Sequence, residues 1–572
     1  MKQIKIFFLV VTVLMASSCN EDDFLTEVNP NAITPDTFWK SADDFDTALN
    51  TVYAALQSNY VSGSQIAYEL IRGDEGNTHN WYRPYSFMTM TFNDNTKQVR
   101  ERWNDLYVGV YRANQVIAAL QTTSAEFEAG EKKSIEAQAR FIRAFYYFQI
   151  AHTYGKAVVH TTTVSDLSEL NRPAEDIATV NAQVIIPDLE YAAENLPEEW
   201  TGEDLGRVTS GAATTMLGKV ALFNQEWAKA AAYFKEVIDS GTYSLVADPR
   251  DNWTDVNEFN SESIMEVGFN IALKPGTNGA AVDSYGGGAD AEANGIVTEI
   301  APLAFGGFNT VFPSIFLHEL FEYDEMNPDD ARNINQTQSL RMRGSIVTLD
   351  ADELYYGKPA DDGAAFNIGM TAFIKKWTNW YQVSSEDQGR SGINFRHIRL
   401  ADVYLMYAEA ILEAQGDAAL TEAMSYVDMI RDRSGVITLS DYMEDNSGQI
   451  PEFHNSPLVN GGVVSFTTAN AQSLLTHIRM VERPLELCFE THRWKDLVRW
   501  GIAGQVIDQQ QENEQWRIDN IDDFRSEPPM FISETRNDWG LPLQNYNPAA
   551  HNYLPIPTDE VQINNQLDGG GN

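Results

Sequence analysis

Apolar positions recur at helical spacing in several blocks, separated by long stretches with no period. Phe38, Phe45, Leu49, Val52, Tyr53 and Leu56 predict a helix from Thr37 to about Gln57. Trp103, Leu106, Tyr107, Val110, Ala113, Val116, Ile117 and Leu120 predict a second over 98–121. A third spans 131–154 and ends at Gly155. A fourth, at about 180–196, contains Pro187, which predicts a kink or break. Residues 207–240 read as a helical hairpin. Thr209 or Ser210 caps its first helix, Asn224-Gln225-Glu226 turns, and Trp227-x2-Ala230-x3-Phe234 opens the second. That spacing sets a small residue where a neighbouring helix packs closely and a ring one turn later, as in tetratricopeptide pairs. Ala144-x3-Phe148 and Gly416-Asp417 with Ala423-x3-Val427 echo it, without a strict ~34-residue period. Helices resume at 398–414, 417–433 and 475–500.

The aperiodic stretches are 58–95 and 246–395, rich in Gly, Asn and isolated aromatics. Short strands are expected at Ser263–Gly268 and near Ile374–Trp377, and an extended tail at Leu554-Pro-Ile-Pro-Thr558. The expected fold is mostly α: a tetratricopeptide-like helical-pair scaffold with a large irregular, loop-rich portion and a few short strands. Its parts are a helical region at 37–245 and a second region at 246–572. The second is loop-rich over 246–395 and helical over 396–500, and then runs into the tail. The two regions are expected to form one compact fold. Loops this long inside a compact domain imply function.

Charge narrows the function. The 572 residues carry 40 Lys and Arg against 82 Asp and Glu, a formal net charge of -42. Such a surface repels phosphate backbones and argues against nucleic-acid binding.

The N-terminus adds a location. Lys2 and Lys5 precede an apolar run from Ile6 to Ala16, too short to span a bilayer, and Ala16-Ser17-Ser18-Cys19 follows. This reads as a lipoprotein signal over 1–18, with Cys19 lipidated and 19–36 as a tether. An ordinary cleavage site beside a chance cysteine is the bland alternative. The acidic run Asn20-Glu21-Asp22-Asp23 resembles a surface-export signal of Bacteroidetes lipoproteins.

Catalytic signatures are weak. His318-Glu319-Leu-Phe-Glu322 lacks the second His of a zinc-protease motif, and no Gly-x-Ser-x-Gly, phosphate loop or Cys-x-x-Cys occurs. No metal site is expected. Asp290-x-Glu292-x-Asn294-Gly295 resembles the start of a calcium loop but has Ala301 where a bidentate Glu belongs, so structural calcium stays a minor alternative to a polar turn. No other cofactor is expected. Glu482, Glu486 and Glu490, with Arg493 and Arg499, form the densest charged stretch. They are read as a buried ion-pair network with Cys488 as a small core residue, subject to the helix surviving Pro484.

The binding candidates are the aromatic loops. Trp81, Tyr82 and Tyr85 share one loop with Asp74, Asn77 and Asn80; Trp377, Trp380 and Tyr381 share another with Asn379 and Arg390. Sugar rings present apolar C–H faces that stack on Trp and Tyr, while Asp, Asn and Arg bond the hydroxyls at the rim. The tryptophans are therefore candidate stacking platforms, with Tyr82, Tyr85 and Tyr381 secondary. A packing anchor is the competing role for any one of them.

The chain resembles the SusD/RagB family of Bacteroidetes outer-surface glycan-binding lipoproteins. The resemblance rests on Cys19 with Asp22-Asp23-Phe24-Leu25, Trp103-x2-Leu-Tyr107 with Arg112-Ala-Asn114, and Glu136-Ala-Gln-Ala-Arg-Phe-Ile-Arg-Ala-Phe-Tyr-Tyr147. Gly206-Arg207-Val-Thr209, Arg399-Leu-Ala-Asp-Val-Tyr-Leu-Met-Tyr-Ala-Glu-Ala410, Glu482-Arg483 through Trp500, and Leu554-Pro-Ile-Pro557 complete it. Thr491-His492, Pro484 and the tail Asn565–Asn572 depart from the pattern at scaffold positions. The resemblance implies a tetratricopeptide-like scaffold, glycan binding on aromatic loops, and a SusC-like TonB-dependent outer-membrane transporter as partner. It also implies a place on the outer membrane, facing outward, held through lipid on Cys19. The expected function is non-catalytic capture of an oligo- or polysaccharide, leaning toward a neutral one, and its delivery to that transporter for uptake. A lid for a peptide or other nutrient transporter is the first alternative. A surface glycosidase and a purely structural adaptor are weaker ones.

Overall fold

The computed structural model describes residues 38–567, apart from Asn80, Arg83, Ser165, 274–291, 361–371, 387–389 and 521–539. The signal, Cys19 and the tether therefore lie outside the described residues.

Helices dominate. The first, α1 (Ala42–Ala54), starts at a capping box between Ser41 and Asp44. Next come α2 (Lys97–Thr122) and α3 (Glu131–Tyr154), antiparallel partners. Helix α3 ends, as expected, at Gly155, whose φ of 72° suits a residue without Cβ. The helix around Pro187 does not break. Ile177–Val180, a π-turn at Asn181–Ile185 and Ile186–Asn195 run on as one helix, α4. The Ile186 N–H bonds Asn181 O, five residues back. That wider register accommodates the ring and the missing N–H of the next residue, Pro187. The expected hairpin is α5 (Ser210–Phe223), capped by Thr209, and α6 (Trp227–Asp239).

The C-terminal part supplies α7 (Leu400–Gln415), α8 (Leu420–Arg433), α9 and α10 (Arg493–Arg499). Helix α9 comprises Ala471–His477, a π-turn at Ile478–Glu482 and Arg483–Leu487. Arg483 N–H bonds Ile478 O, so Pro484 is accommodated as Pro187 is. The single helix expected over 475–500 stops at Leu487 and restarts at Arg493.

The loop-rich portion is tied by short antiparallel pairs. Strand β1 (Gly76–Thr78) pairs β3 (Val311–Pro313), β2 (Ser263–Val267) pairs β6 (Phe395–Arg399), and β4 (Ile346–Thr348) pairs β5 (Ala372–Ile374). One hydrophobic cluster runs from Phe45 to Leu567 and takes in both parts of the chain. The tail adds backbone bonds across it, from Leu554 N–H to Thr153 O (2.7 Å) and from Thr558 N–H to Asp94 O (3.1 Å).

Candidate functional site

The two aromatic loops have different fates. Trp81 lies on the surface at 57% exposure, the only tryptophan among the described residues with so open a ring. His79 stacks on it, ring centroids 5.1 Å apart and planes 13° from parallel. His79 is itself backed by Phe312, 5.0 Å away, on β3. The β1–β3 pairing makes this possible, because it sets Asn77 opposite Phe312 and ends one residue before His79. Asn309 Nδ2 lies 3.5 Å from the His79 ring. Residues 303–312 are thereby brought against the Trp81 turn. They carry two further open side chains, Phe308 at 53% and Leu303 at 52%.

Beneath them is a second, smaller core of Phe305, Tyr355, Tyr356, Val347 and Phe373, with Trp380 packed against it. Phe305 and Tyr356 stack at 4.5 Å. Glu386 links this core to the second aromatic loop. Its N–H donates to Phe305 O at 2.6 Å, and its carboxylate accepts from Tyr356 Oη and from Asn379 N and Nδ2.

Several sequence candidates are corrected. Trp377 is fully buried. It stacks on Phe395 at 4.6 Å, meets Trp253 edge-on at 4.7 Å and donates Nε1–H to Phe489 O, so no sugar reaches its face. Asp74 is buried in a two-pronged ion pair with Arg493, 2.6 and 2.5 Å. Asn77 is buried in β1, and its Oδ1 accepts from Thr78 N–H. Tyr82 is buried against Glu299, and burial raises the pKa of both. The 58–95 stretch, expected as an irregular loop, is thus mostly interior, and Trp81 is its exposed tip.

Trp380 is half-buried with Lys375 Nζ 3.7 Å from its ring centroid. The Tyr381 hydroxyl donates to Asp255 Oδ1 at 2.7 Å. Tyr85 is half-buried at the start of a one-turn helix, Tyr85–Met88. Arg390 is half-buried, and its carbonyl accepts from Asn379 Nδ2. Asn80 lies outside the described residues. Sequence reasoning passed over His79, Phe308 and Leu303. The signal was present in part: Gly306-Gly307 before Phe308 marks a tight turn that holds a ring outward.

The charged stretch is interior. Glu482 meets Arg341 and Arg431, Glu486 meets Arg399 and Arg433, and Glu490 meets Arg399 and Lys376. The glutamates do not share one helix, because α9 ends before Glu490. Burial pushes these carboxyls up, but the adjoining guanidiniums outweigh it and hold all three below the ordinary range. Cys488 is buried, and burial raises its thiol to about 11. His318 is buried 3.3 Å from Glu322, while Glu319 accepts from Ser456 and Leu458. No group of three metal-ligating side chains occurs among the described residues. Of the calcium-like run, Asp290 lies outside the described residues. Asn294 is buried, with its amide bonded to Ser62 O and its Oδ1 to Ile296 N–H.

Comparison with known proteins agrees with this architecture. Residues 232–569 match the model of the SusD family, and residues 23–222 match one described as starch-binding, associating with the outer membrane. A SusD-like protein of Formosa agariphila is 25% identical over 590 aligned residues, covering 98% of this chain and 97% of its own. A SusD superfamily structure from Bacteroides vulgatus superposes with a TM-score of 0.72 at 24% identity, covering 93% of this chain and 99% of that one. A laminarin-binding SusD-like protein does so at 0.66 and 23%, covering 92% and 99%. With more than half its length matched by the family model, on a helical-pair scaffold of the same shape, the chain belongs to the SusD family.

Proposed function

We propose that this protein captures an oligo- or polysaccharide on the surface built around Trp81, without cleaving it. It then passes the glycan to a SusC-like TonB-dependent transporter in the outer membrane, where lipid on Cys19 anchors it facing outward. The carrying observation is the Trp81 ring, open to solvent and held flat by His79 and Phe312. With one face against His79, the ring offers its other face to the apolar C–H face of a pyranose. Phe308 and Leu303 extend the apolar ground, and together with Trp81 and Phe312 they carry no charge, which favours a neutral glycan. The laminarin-binding relative and the starch-binding family description support the ligand class. No described helix is long and apolar enough to cross a membrane, so a lipid anchor fits the membrane association in that description.

Non-catalytic capture is favoured because the network carboxylates are committed to Arg and Lys, with no pair of them facing a cleft. A shallow platform leaves much of the ligand solvated, so affinity in the roughly micromolar to millimolar range is expected.

Native gels containing laminarin, starch or an acidic polysaccharide test this. The wild-type protein should be retarded by a neutral polymer. W81A should lose about tenfold or more in affinity, ~1.4 kcal/mol, and W81A/F308A should run as in a blank gel. Unchanged retardation of the folded double variant would overturn the site. Release of new reducing ends from a bound polymer would overturn the non-catalytic assignment. For delivery, co-purification with an outer-membrane barrel is the expected result.

A further inference from the structure

Away from Trp81, a small pocket of about 30 Å³ lies where α3, α5, β6 and α10 meet. Lys219, Lys495, His397 and His492 line it, with Phe145 and Phe223 as apolar wall. Its volume suits one or two water-sized occupants.

The charge in it is not balanced. Lys219 reaches Asp402 at 3.4 Å. Lys375 and Lys376, which are buried like Lys219, meet Glu353 and Glu490 at 3.1 and 2.9 Å, whereas Lys495 is half-buried. Lys495 makes no ion pair or hydrogen bond among the described residues; the carboxylate of Glu69 is the charge that chiefly acts on it. Asp496, the carboxylate in the lining, is already engaged by Arg483 and Arg499, both 2.7–2.8 Å away. Burial lowers the Lys495 ammonium to about 8, His492 to about 4 and His397 well below the ordinary imidazole range, so the two rings enter as neutral dipoles. In a chain of net charge -42, a small pocket lined by two lysines and two histidines against one aspartate is a local inversion of sign. An ammonium withdrawn from water needs a counter-charge more than a neutral dipole.

We propose that this pocket binds one small monovalent anion of chloride size, between the ammonium groups of Lys219 and Lys495 and flanked by the His397 and His492 rings. The anion joins elements from both ends of the chain. An ion bound only by the folded state stabilises it by mass action.

The test is thermal unfolding of the protein in sodium chloride and in sodium gluconate at matched ionic strength, with crystals soaked in bromide. The expected result is a Tm higher in chloride by about 2 °C or more, saturating with concentration, and an anomalous bromide peak between the two Nζ atoms. K495M should abolish the difference between the salts, whereas W81A should keep it. Should K495M fail to fold, the salt comparison and the bromide map of the wild-type protein decide together. Equal Tm in both salts, meaning that the pocket takes water, overturns the proposal. So does a bromide peak without a chloride-specific shift, which is adventitious binding only. A K495M protein with the full chloride response overturns it as well.

Discussion

Trp81 and Trp377 look alike in the sequence, each an aromatic among polar neighbours in an aperiodic stretch, and the fold gives them opposite exposure. The difference lies in partners remote in the chain. Trp253 and Phe395 close over Trp377, while the ring on Trp81 is a near neighbour, His79. No local pattern reports contacts over such separations, which is why the exposed ring of Trp81 and the buried ring of Trp377 could not be told apart in the sequence. Truncation should separate them. W377A deletes a filled core position and should cost about 3–5 kcal/mol in urea unfolding. W81A should cost less than about 0.5 kcal/mol while weakening glycan binding. A W377A protein of wild-type stability would show that its interior packing is misassigned. Asp74 teaches the same lesson for polar side chains: beside Trp81 it reads as a rim acid, yet Arg493, far along the chain, takes both its oxygens.

The helices themselves were legible, because period and caps are local. Helix α3 begins and ends where apolar spacing and Gly155 place it. What the period does not report is how a helix absorbs a proline. Both Pro187 and Pro484 follow a residue bonded five positions back, so a π-turn carries each helix through its proline without a break. Nor does the period reveal which small residue admits a neighbour. The Ala-x3-Phe pattern drew attention to Ala230, but the ring of Phe234 rests on Gly218 of α5. There a Cβ would come within 2.6 Å of the ring. In the α2–α3 pair, Tyr146 rests on Gly109 in the same way, 2.0 Å from a would-be Cβ. Alanine favours a helix over glycine by about 1 kcal/mol, so G109A and G218A would stabilise isolated helices. In this protein the clash should dominate, and each should lower stability by about 1–3 kcal/mol. A raised urea midpoint in either variant would show that the helix pairs can spread at little cost.

For the whole molecule, the interior carries two populations of carboxyl groups that pull stability in opposite directions with pH. Glu482, Glu486, Glu490 and Asp402 are held below the ordinary range by Arg and Lys despite burial. Their contribution is complete above the unfolded value, about 4.5 for Glu, and is lost as pH falls through their lower folded values. Glu75, Glu258 and Glu319 are the reverse. Burial outweighs their backbone donors, Phe489, Asn394 and Leu458, and raises them to about 8, 8 and 7. Their contribution is complete below about 4.5 and is lost as pH rises through 7–8. Folding stability should therefore peak at about pH 4.5–5, fall in acid, and fall again as pH rises to about 8. Replacing the second population should remove the alkaline decline selectively. In E75Q the amide oxygen can still accept from Phe489 N–H, as Glu75 Oε2 does at 2.9 Å, without a proton to lose. The urea midpoint of E75Q/E258Q/E319Q should thus fall clearly less between about pH 5 and 8 than that of the wild-type protein. Repulsion within a surface of net charge -42 is the competing cause of an alkaline decline, and added salt screens it. A decline that survives the triple substitution but vanishes in salt would assign the effect to the surface, not to these buried acids.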